Sequence, residues 1–351
     1  MQNMPLVSVI IPCRNEELWI GKCIESVLKT DYPKNLLELF ISDGLSTDKT
    51  VEIALQYSEK YPFIKVLRNE KRIFPAAINL GYQNSTGDVI VILGAHAEYS
   101  SNYITENVKA LYDHEVDNVG GVVEQIWPIK NLVGKAITKV LSSKFGIGGA
   151  SYRTGTDKPL LVTTVFGGCY RRSVFEKIGL FNENLISSSD IDFNVRLKNN
   201  GGKTLLIPDV KVLYYYAETN FTKFIRNNLR NGFWTINPLK FVDYIPVTLR
   251  HLIPLFFVSG IFGTLLLSCF SIYFIWLLLF VLGLYLFISI AFSFKEIKES
   301  FALFLILPLF YFSLHLSYGL GSLYGLFKVL LSKQFYIMHF SKNDTDYGRS
   351  L

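Results

Sequence analysis

Three short polar clusters in this chain carry residue types suited to group-transfer chemistry. The first, Asp43-Gly44-Leu45-Ser46-Thr47-Asp48, sets a carboxylate and a glycine ahead of two hydroxyls. That combination suits the edge of a base, a ribose or a phosphate, because glycine allows close approach and a helix start favours anions. It would equally serve as a plain strand-to-helix turn with Ser46 or Thr47 as the cap. The second, Gly94-Ala95-His96-Ala97-Glu98-Tyr99, offers an imidazole and a carboxylate to a divalent cation bridging a diphosphate. A hydrogen-bonded structural histidine is the other reading. The third, Ser187-Ser188-Ser189-Asp190-Ile191-Asp192, precedes the apolar positions Phe193, Val195 and Leu197. It is either a helix start with serine caps and charge favourable to the dipole, or a general base, Asp190, held by that helix at the mouth of a site. The chain has no G-x-G-x-x-G after its first strand and no G-x-x-x-x-G-K-S, which argues against dinucleotide enzymes and P-loop nucleotidases.

These clusters need elements to position them. Val7–Ile11 reads as a strand, Glu16–Thr30 as a helix, Leu39–Ser42 as a strand and Thr47–Lys60 as a helix. Ile64–Arg68, Pro75–Asn84 and Val89–Leu93 continue as strand, helix and strand, with proline opening the helix. Strands alternating with helices imply a parallel, doubly wound sheet, whose ligands bind at the carboxyl ends of its strands. Arg14 to Glu16, Asp43 to Asp48 and Gly94 to Glu98 all fall there.

Hydrophobic residues make up 50% of the 351, and they are concentrated toward the carboxyl terminus. No charged residue occurs from Leu252 to Phe294, and His315 is the only ionisable side chain among the acids and bases from Phe301 to Phe327. A bilayer core needs about 20 apolar residues per helix, so the first stretch allows two spans turning near Ser268-Cys269-Phe270-Ser271. The second allows one more, interrupted by Pro308, Gly319 and Gly321. Three spans would put the carboxyl terminus outside, whereas Lys328, Lys333, Lys342 and Arg349 argue for inside, with 317–331 re-entrant or interfacial. Leu6 to Ile11 is too short for a signal sequence, so residues 1–220 are expected in the cytosol. The four cysteines show neither pairing nor zinc spacing, which suits a reducing compartment. The net charge of +6 is modest, and Lys223, Arg226, Arg230, Lys240 and Arg250 gather before the first span. They fit a cytosolic flank meeting lipid headgroups, not nucleic acid. Phe221, Phe224, Ile225, Leu229 and Phe233 can share one helical face, either in the bilayer interface or packed on the domain. The expected organisation is a catalytic domain over 1–220, an amphipathic linker over 221–250, a membrane region of two to three spans over 251–331, and a polar tail over 332–351.

Taken together, these residues resemble glycosyltransferase family 2, inverting enzymes of the GT-A fold (Rossmann-like, α/β) that use nucleotide sugars. Within it they resemble the ExoA type of succinoglycan and other exopolysaccharide synthesis. The resemblance is carried by Val7 to Glu17, by Asp43 to Asp48, and by Asn69 to Gly81 with Arg72, Pro75 and Asn79. Val165 to Phe181 and His315 to Gly321 complete it. It implies that Glu16 and Asp43 hold the base, usually uracil. Pro12, Arg14, Ser46, Asp48, Arg72 and Ala95 would line the nucleotide-sugar cleft. His96 would sit where the second acid of a D-x-D motif binds Mn²⁺ or Mg²⁺, and Asp190 would match the general base of the E-D motif. Phe166, Gly167, Gly168, Asp192, Arg230 and Trp234 would lie on the acceptor side.

Three positions depart from the pattern. Gly94 stands at the first acidic position of D-A-H-A, where Glu98 or Asp88 would have to substitute. Ser189 replaces the glutamate of E-D. The Q-x-x-R-W motif of processive enzymes is at best Asn227-Asn228-Leu229-Arg230 with Trp234, which implies transfer of one sugar. The expected partners are a nucleotide sugar, UDP-linked by preference, a lipid-linked glycan acceptor and membrane lipid. Alternatives are transfer to polyprenyl phosphate itself, or a non-catalytic assembly subunit. A transporter is disfavoured by the few polar residues in the spans.

Overall fold

The computed structural model describes residues 4–126, 131–215 and 220–340. Strand β1 (Val7–Cys13) is buried at every position, as a strand covered on both faces must be. Helix α1 (Ile20–Leu28), β2 (Leu37–Asp43), α2 (Thr50–Lys60), β3 (Ile64–Arg68), α3 (Phe74–Gln83) and β4 (Val89–Ile92) follow in the expected alternation. Strands β3, β2, β1 and β4 lie side by side in that order, all parallel. Period-two alternation divides the core. Val7, Val9 and Ile11 face one cluster with Ile20, Cys23 and Ile24, while Ile10 faces the other with Ile78, Ile90 and Phe193. Each such side chain, fully buried, contributes about 1.5–3 kcal/mol, so the strand ends are fixed points on which loops can be built.

The sheet then changes character. The chain continues through β5 (Ala97–Tyr99), α4 (Tyr103–Asp113) and β6 (Asn118–Ile126). Helices α5 (Leu132–Leu141) and α6 (Lys144–Ile147) come next, then α7 (Ser151–Thr154), β7 (Leu160–Val162) and β8 (Gly168–Arg171). Helices α8 (Arg172–Ile178) and α9 (Ser189–Asn199) and strand β9 (Thr204–Tyr215) complete this part. Strand β8 is antiparallel to both β4 and β6, and β9 is parallel to β6 but antiparallel to β5 and β7. Among the described residues the sheet has nine strands, parallel in one half and mixed in the other.

The chain forms two units: Met1–Ile126 with Ala150–Tyr216, and Trp127–Gly149 with Ala217–Leu351. The second holds α5, α6, α10 (Phe221–Ile236), α11 (Leu249–Leu267), α12 (Tyr273–Ser293), α13 (Phe301–Leu330) and α14 (Lys333–Phe340). Helices α11, α13 and the segment Tyr273–Glu296 are, among the described residues, long and apolar enough to cross a membrane. Their burial differs: the apolar windows of the first two segments are 11% and 6% buried, that of α13 39%. Helix α10 buries Phe224, Asn228, Gly232, Thr235 and Ile236, a face rotated by a fraction of a turn from the apolar set expected from the sequence and sharing Phe224 with it. That face meets α13 at backbone distance. The Ser322 hydroxyl donates to the Gly232 carbonyl at 3.1 Å, and a Cβ on Gly325 would lie 2.8 Å from the Phe233 carbonyl. Glycine and serine are what such close helix pairs require.

Candidate active site

The parallel register sets Cys13 beside Asp43, which brings the loops after β1 and β2 together. One Asp43 carboxylate oxygen accepts from the Ser46 backbone N–H at 3.0 Å, and the Ser46 hydroxyl donates to the other. That hydroxyl also accepts from the Asn15 N–H at 2.8 Å, and the Asn15 side chain accepts from the Thr47 N–H at 2.8 Å. Asn15 and Leu45 hold left-handed φ of 56° and 57°. Such conformations persist where surrounding bonds over-determine them, as these do. Asp48 accepts from the Thr50 N–H at 3.0 Å and the Glu17 N–H at 3.2 Å. Desolvation pushes the Asp48 carboxyl up, but these hydrogen bonds outweigh it and hold it below its ordinary value. Asp48, not Ser46 or Thr47, therefore supplies the side-chain oxygen at the start of α2. Pro12 is buried within β1, just ahead of the loop. Arg14 and Arg72 flank Gly44: a Cβ there would lie 3.4 Å from the Arg14 Cβ and 3.5 Å from the Arg72 Cα. Both arginines are exposed, and Arg72 holds a left-handed φ of 59° at the end of β3.

At the end of β4, Ala95 is buried, and the Gly94 N–H donates to the Tyr99 hydroxyl at 2.7 Å. A Cβ on Gly94 would lie 2.9 Å from Cζ of Phe166, so an aromatic ring fills the space an acidic side chain would need. Gly167 and Gly168 place it there. Both have positive φ, 65° and 119°, and a Cβ on Gly167 would collide with the Ile92 carbonyl. Phe166 meets Tyr214 edge to face at 5.3 Å, and Tyr214 meets His96 at 4.8 Å. His96 bonds on both sides: Nδ1 to Glu16 Oε1 at 2.9 Å and Nε2 to the Tyr214 hydroxyl at 2.8 Å. An ionised carboxylate only accepts, so Nδ1 carries the proton, and in the neutral ring Nε2 accepts from the tyrosine hydroxyl.

This geometry bears on two expectations. Glu16, expected against the base, reaches the metal-candidate histidine. Neither proposed substitute for the acid missing at Gly94 serves: Glu98 is held by the Tyr215 hydroxyl beside Trp19 and Lys22, and Asp88 precedes β4, at its opposite end. Among the described residues no group of three histidine, cysteine, aspartate or glutamate side chains could hold a metal by itself. The donor chemistry fits a single protein ligand. A carboxylate on one imidazole nitrogen orients the ring and raises the basicity of the other, so His96 Nε2, on giving up its bond to the Tyr214 hydroxyl, would hold a cation whose remaining ligands come from substrate.

Asp190 lies in the first turn of α9, whose preceding residue Ser188 has a left-handed φ of 69° and makes no side-chain cap bond. The serine-cap reading is thereby set aside. Asp190 is exposed at the surface. Desolvation raises its carboxyl above the usual range, opposed by the Asp190 and Ile191 N–H groups and by the charge of Arg153. Arg153 also acts on Tyr214. Asp192, expected toward the acceptor, is fully buried and pairs with Arg196 at 3.0 Å, while Arg196 binds the Leu180 carbonyl at 2.8 Å. Its place is structural, fixing α9. Asn79 binds Phe181 in both directions, at 2.9 and 3.0 Å, and so anchors the approach to that helix. Arg230 and Trp234 belong to the second unit, on α10, Arg230 exposed and Trp234 half-buried against Phe233.

Sequence reasoning missed Tyr214, Arg153 and Gln125. Gln125 pairs with Tyr214 across β6 and β9, and its buried amide finds no hydrogen-bond partner among the described residues. No local motif announces them. Tyr214 would have been accessible only through the long β9 strand whose end it occupies.

A parallel sheet with loop-borne polar groups at its strand ends, continued by a mixed half and then by apolar helices, defines a GT-A domain followed by candidate membrane helices. Residues 8–179 match glycosyl transferase family 2. A relative from Methanococcus voltae, dolichyl N-acetyl-alpha-D-glucosaminyl phosphate 3-beta-D-2,3-diacetamido-2,3-dideoxy-beta-D-glucuronosyltransferase, is 33% identical over 65% of this chain and 72% of its own. The succinoglycan biosynthesis protein ExoA of Rhizobium meliloti is 27% identical over 59% of this chain and 62% of its own. Among solved structures, a Pyrobaculum calidifontis mannosyltransferase in complex with GDP-Man and Mn²⁺ shares the fold, with TM-score 0.58 and 17% identity over 93% of this chain and 88% of that one. The chain belongs to glycosyltransferase family 2.

Proposed function

We propose that the chain transfers a single sugar from a nucleotide sugar, UDP-linked by preference, to a lipid-linked glycan, with inversion and with a divalent cation. The observation that carries this is Asp190: a carboxyl at a helix start, open to solvent on one side and raised by desolvation. Raising its pKa makes the ionised form a stronger base. Asp190 takes the proton of the acceptor hydroxyl as that oxygen bonds to the anomeric carbon. The bond from that carbon to the diphosphate oxygen breaks on the opposite face, inverting the centre. The loop built on Asp43, Ser46 and Asn15 is rigid enough to fix the nucleoside, and the exposed Arg14 and Arg72 supply positive charge for the diphosphate. A divalent cation, held by His96 Nε2 and substrate oxygens, would neutralise charge on the departing diphosphate. Glu16 keeps His96 in the required tautomer, and Gln125 is available to a sugar hydroxyl.

The lipid-linked acceptor is supported by the name of the methanococcal relative, whose acceptor is a dolichyl sugar phosphate. The apolar helices support a membrane site, and the basic residues before α11 support a cytoplasmic catalytic domain. Exopolysaccharide or capsule assembly is the setting implied by the ExoA relative. A second reading, an assembly subunit without activity, draws on the Phe166 ring at Gly94. The test is transfer from UDP- and GDP-sugars to membrane lipid extract, with Mn²⁺ or EDTA, for wild type and Asp190→Asn. Labelled lipid that requires both the metal and Asp190 supports the enzyme. Donor left intact by the wild type in an extract where active relatives consume it favours the subunit.

A further inference from the structure

We propose that α13, despite its length and apolarity, lies along the bilayer surface, so that both its ends stay on the side of the first unit and α11 and α12 alone enter the hydrocarbon. The inference rests on the membrane reading and is independent of sugar transfer.

Chain length sets the reference side. Residues 127–149 leave the first unit and return to it within about 23 residues, too few for two crossings of a bilayer that takes about 20 per helix. Helices α5 and α6 are therefore on the first unit's side. Lys135 of α5 pairs with Glu299 at 2.6 Å, and Lys139 pairs with Glu296 at 2.6 Å and Glu299 at 2.8 Å. Both glutamates lie in the connection between α12 and α13, which puts the amino-terminal end of α13 on that side.

Further along, α13 is held by α6 and α10 as well as by α11 and α12. His315 Nε2 bonds the Gly146 carbonyl of α6 at 3.1 Å, and Phe145 packs on Tyr311 at 5.1 Å. From Phe310 onward α10 packs on one side of α13, while Gly319 meets Pro254 and Val258 of α11 and His315 Nδ1 bonds the Tyr285 hydroxyl of α12 at 2.7 Å. Phe310 meets Phe221 at 4.9 Å, Tyr318 bonds Thr235 at 2.5 Å, and Gly325 packs on Phe233. The two helices run parallel. Helix α10 is about 24 Å long at 1.5 Å per residue, short of a hydrocarbon core of about 30 Å. It also carries Lys223, Arg226 and Arg230, all exposed. Charges at mid-bilayer cost about 2.5–3.5 kcal/mol each even on the lenient scale, so α10 does not span. A crossing α13 would carry Gly325 about 36 Å from its start and take the end of α10 with it. Instead Val329 packs with Ile236 and with Leu252 and Leu255 at the beginning of α11. That beginning is close to α6: a Cβ on Gly148 would lie 3.4 Å from that of Arg250.

Charge and burial agree with this placement. Lys328 and Lys333 then join the basic residues before α11 on one face, where anionic headgroups would meet them. Helices α11 and α12, with almost none of their apolar windows buried by protein, are left for lipid.

The experiment is site-directed cysteine labelling of the full chain in cells, in a Cys269→Ser background, with a membrane-impermeant maleimide. Cys13, Cys23 and Cys169 are buried and stay silent. Glu59→Cys on α2 reports the first unit, Lys298→Cys one end of α13 and Lys333→Cys the other; all three positions are exposed. All three should behave alike, protected in intact cells and labelled in opened membranes. Labelling of Lys333→Cys or Lys298→Cys from the side opposite Glu59→Cys overturns the proposal. If all three label in intact cells, the proposal holds and the cytoplasmic orientation falls. Detergent-solubilised protein, taking one label per chain and melting as wild type, controls for folding, and Gln334→Cys replaces a Lys333→Cys that misfolds.

Discussion

The two sides of the candidate site are built by different means. On the β1–β2 side, Asn15, Asp43, Ser46, Asp48 and Thr50 bond one another within two adjacent loops. On the β4–α9 side, Phe166, Tyr214, His96 and Glu16 form a chain of contacts drawn from four distant parts of the sequence. The first side is a hydrogen-bonded scaffold with exposed arginines. The second is an aromatic packing in which reactive groups are embedded. Function should be concentrated on the second side, and stability should respond on both.

The largest effect is expected at Asp190. Asp190→Asn should lower kcat by about 10²–10⁴-fold, the usual contribution of a positioned base, without changing the melting temperature. The acid limb of kcat/KM should fall above the ordinary carboxyl value of 3.8, because desolvation raises this group. A variant that retains activity would move catalysis elsewhere. Glu16→Gln comes next. Losing the carboxylate that orients His96, the ligand proposed above, should weaken Mn²⁺ binding about 10–100-fold, read by titration in the presence of nucleotide diphosphate. Unchanged affinity would make Glu16 part of the scaffold only.

Gly94→Asp probes the packing. Restoring the acid against Phe166 should cost about 1–3 kcal/mol in stability, and Phe166→Ala in the same chain should recover part of it in a double-mutant cycle. Additive effects would mean that the two positions do not meet. The smallest change is Asp48→Ala, about 1 kcal/mol from the lost helix-start bonds. The Asp48 carboxyl is depressed in the folded chain, so its stabilisation is present above the ordinary value of 3.8 and fades as pH falls through the lower folded value. Urea melts of wild type and variant should accordingly converge at acid pH.

This contrast also explains what the sequence revealed. Ile64–Arg68 has the bounds read from its pattern, and the other strands and helices through Val89 shift by a few residues. There local alternation and turn chemistry act together, and the Asp48 carboxylate accepts from the Thr50 N–H where α2 begins. The mixed half of the sheet was not legible. Strand β9 pairs with β5, β6 and β7, and such pairings leave no short-range signal. The Asp43 loop could be read from residue types alone. Gly94 could be noticed as a departure, but only the structure supplies Phe166, which lies 72 residues further on. Asp192 shows the converse: an acid two positions from Asp190 is fully buried in support of the helix.

The order in which strands enter the sheet bears on synthesis. Strand β9 ends at Tyr215 and pairs with Ala97–Tyr99 as well as with β6 and β7, so the mixed half cannot close until that residue has left the ribosome. The long apolar helices begin only at Leu249. During translation at about 5–20 residues per second, only seconds separate the strand that completes the sheet from the first segment able to engage the insertion machinery. A slowed codon run between Tyr215 and Leu249 would widen that interval and let the catalytic unit fold before the nascent chain is committed to the membrane.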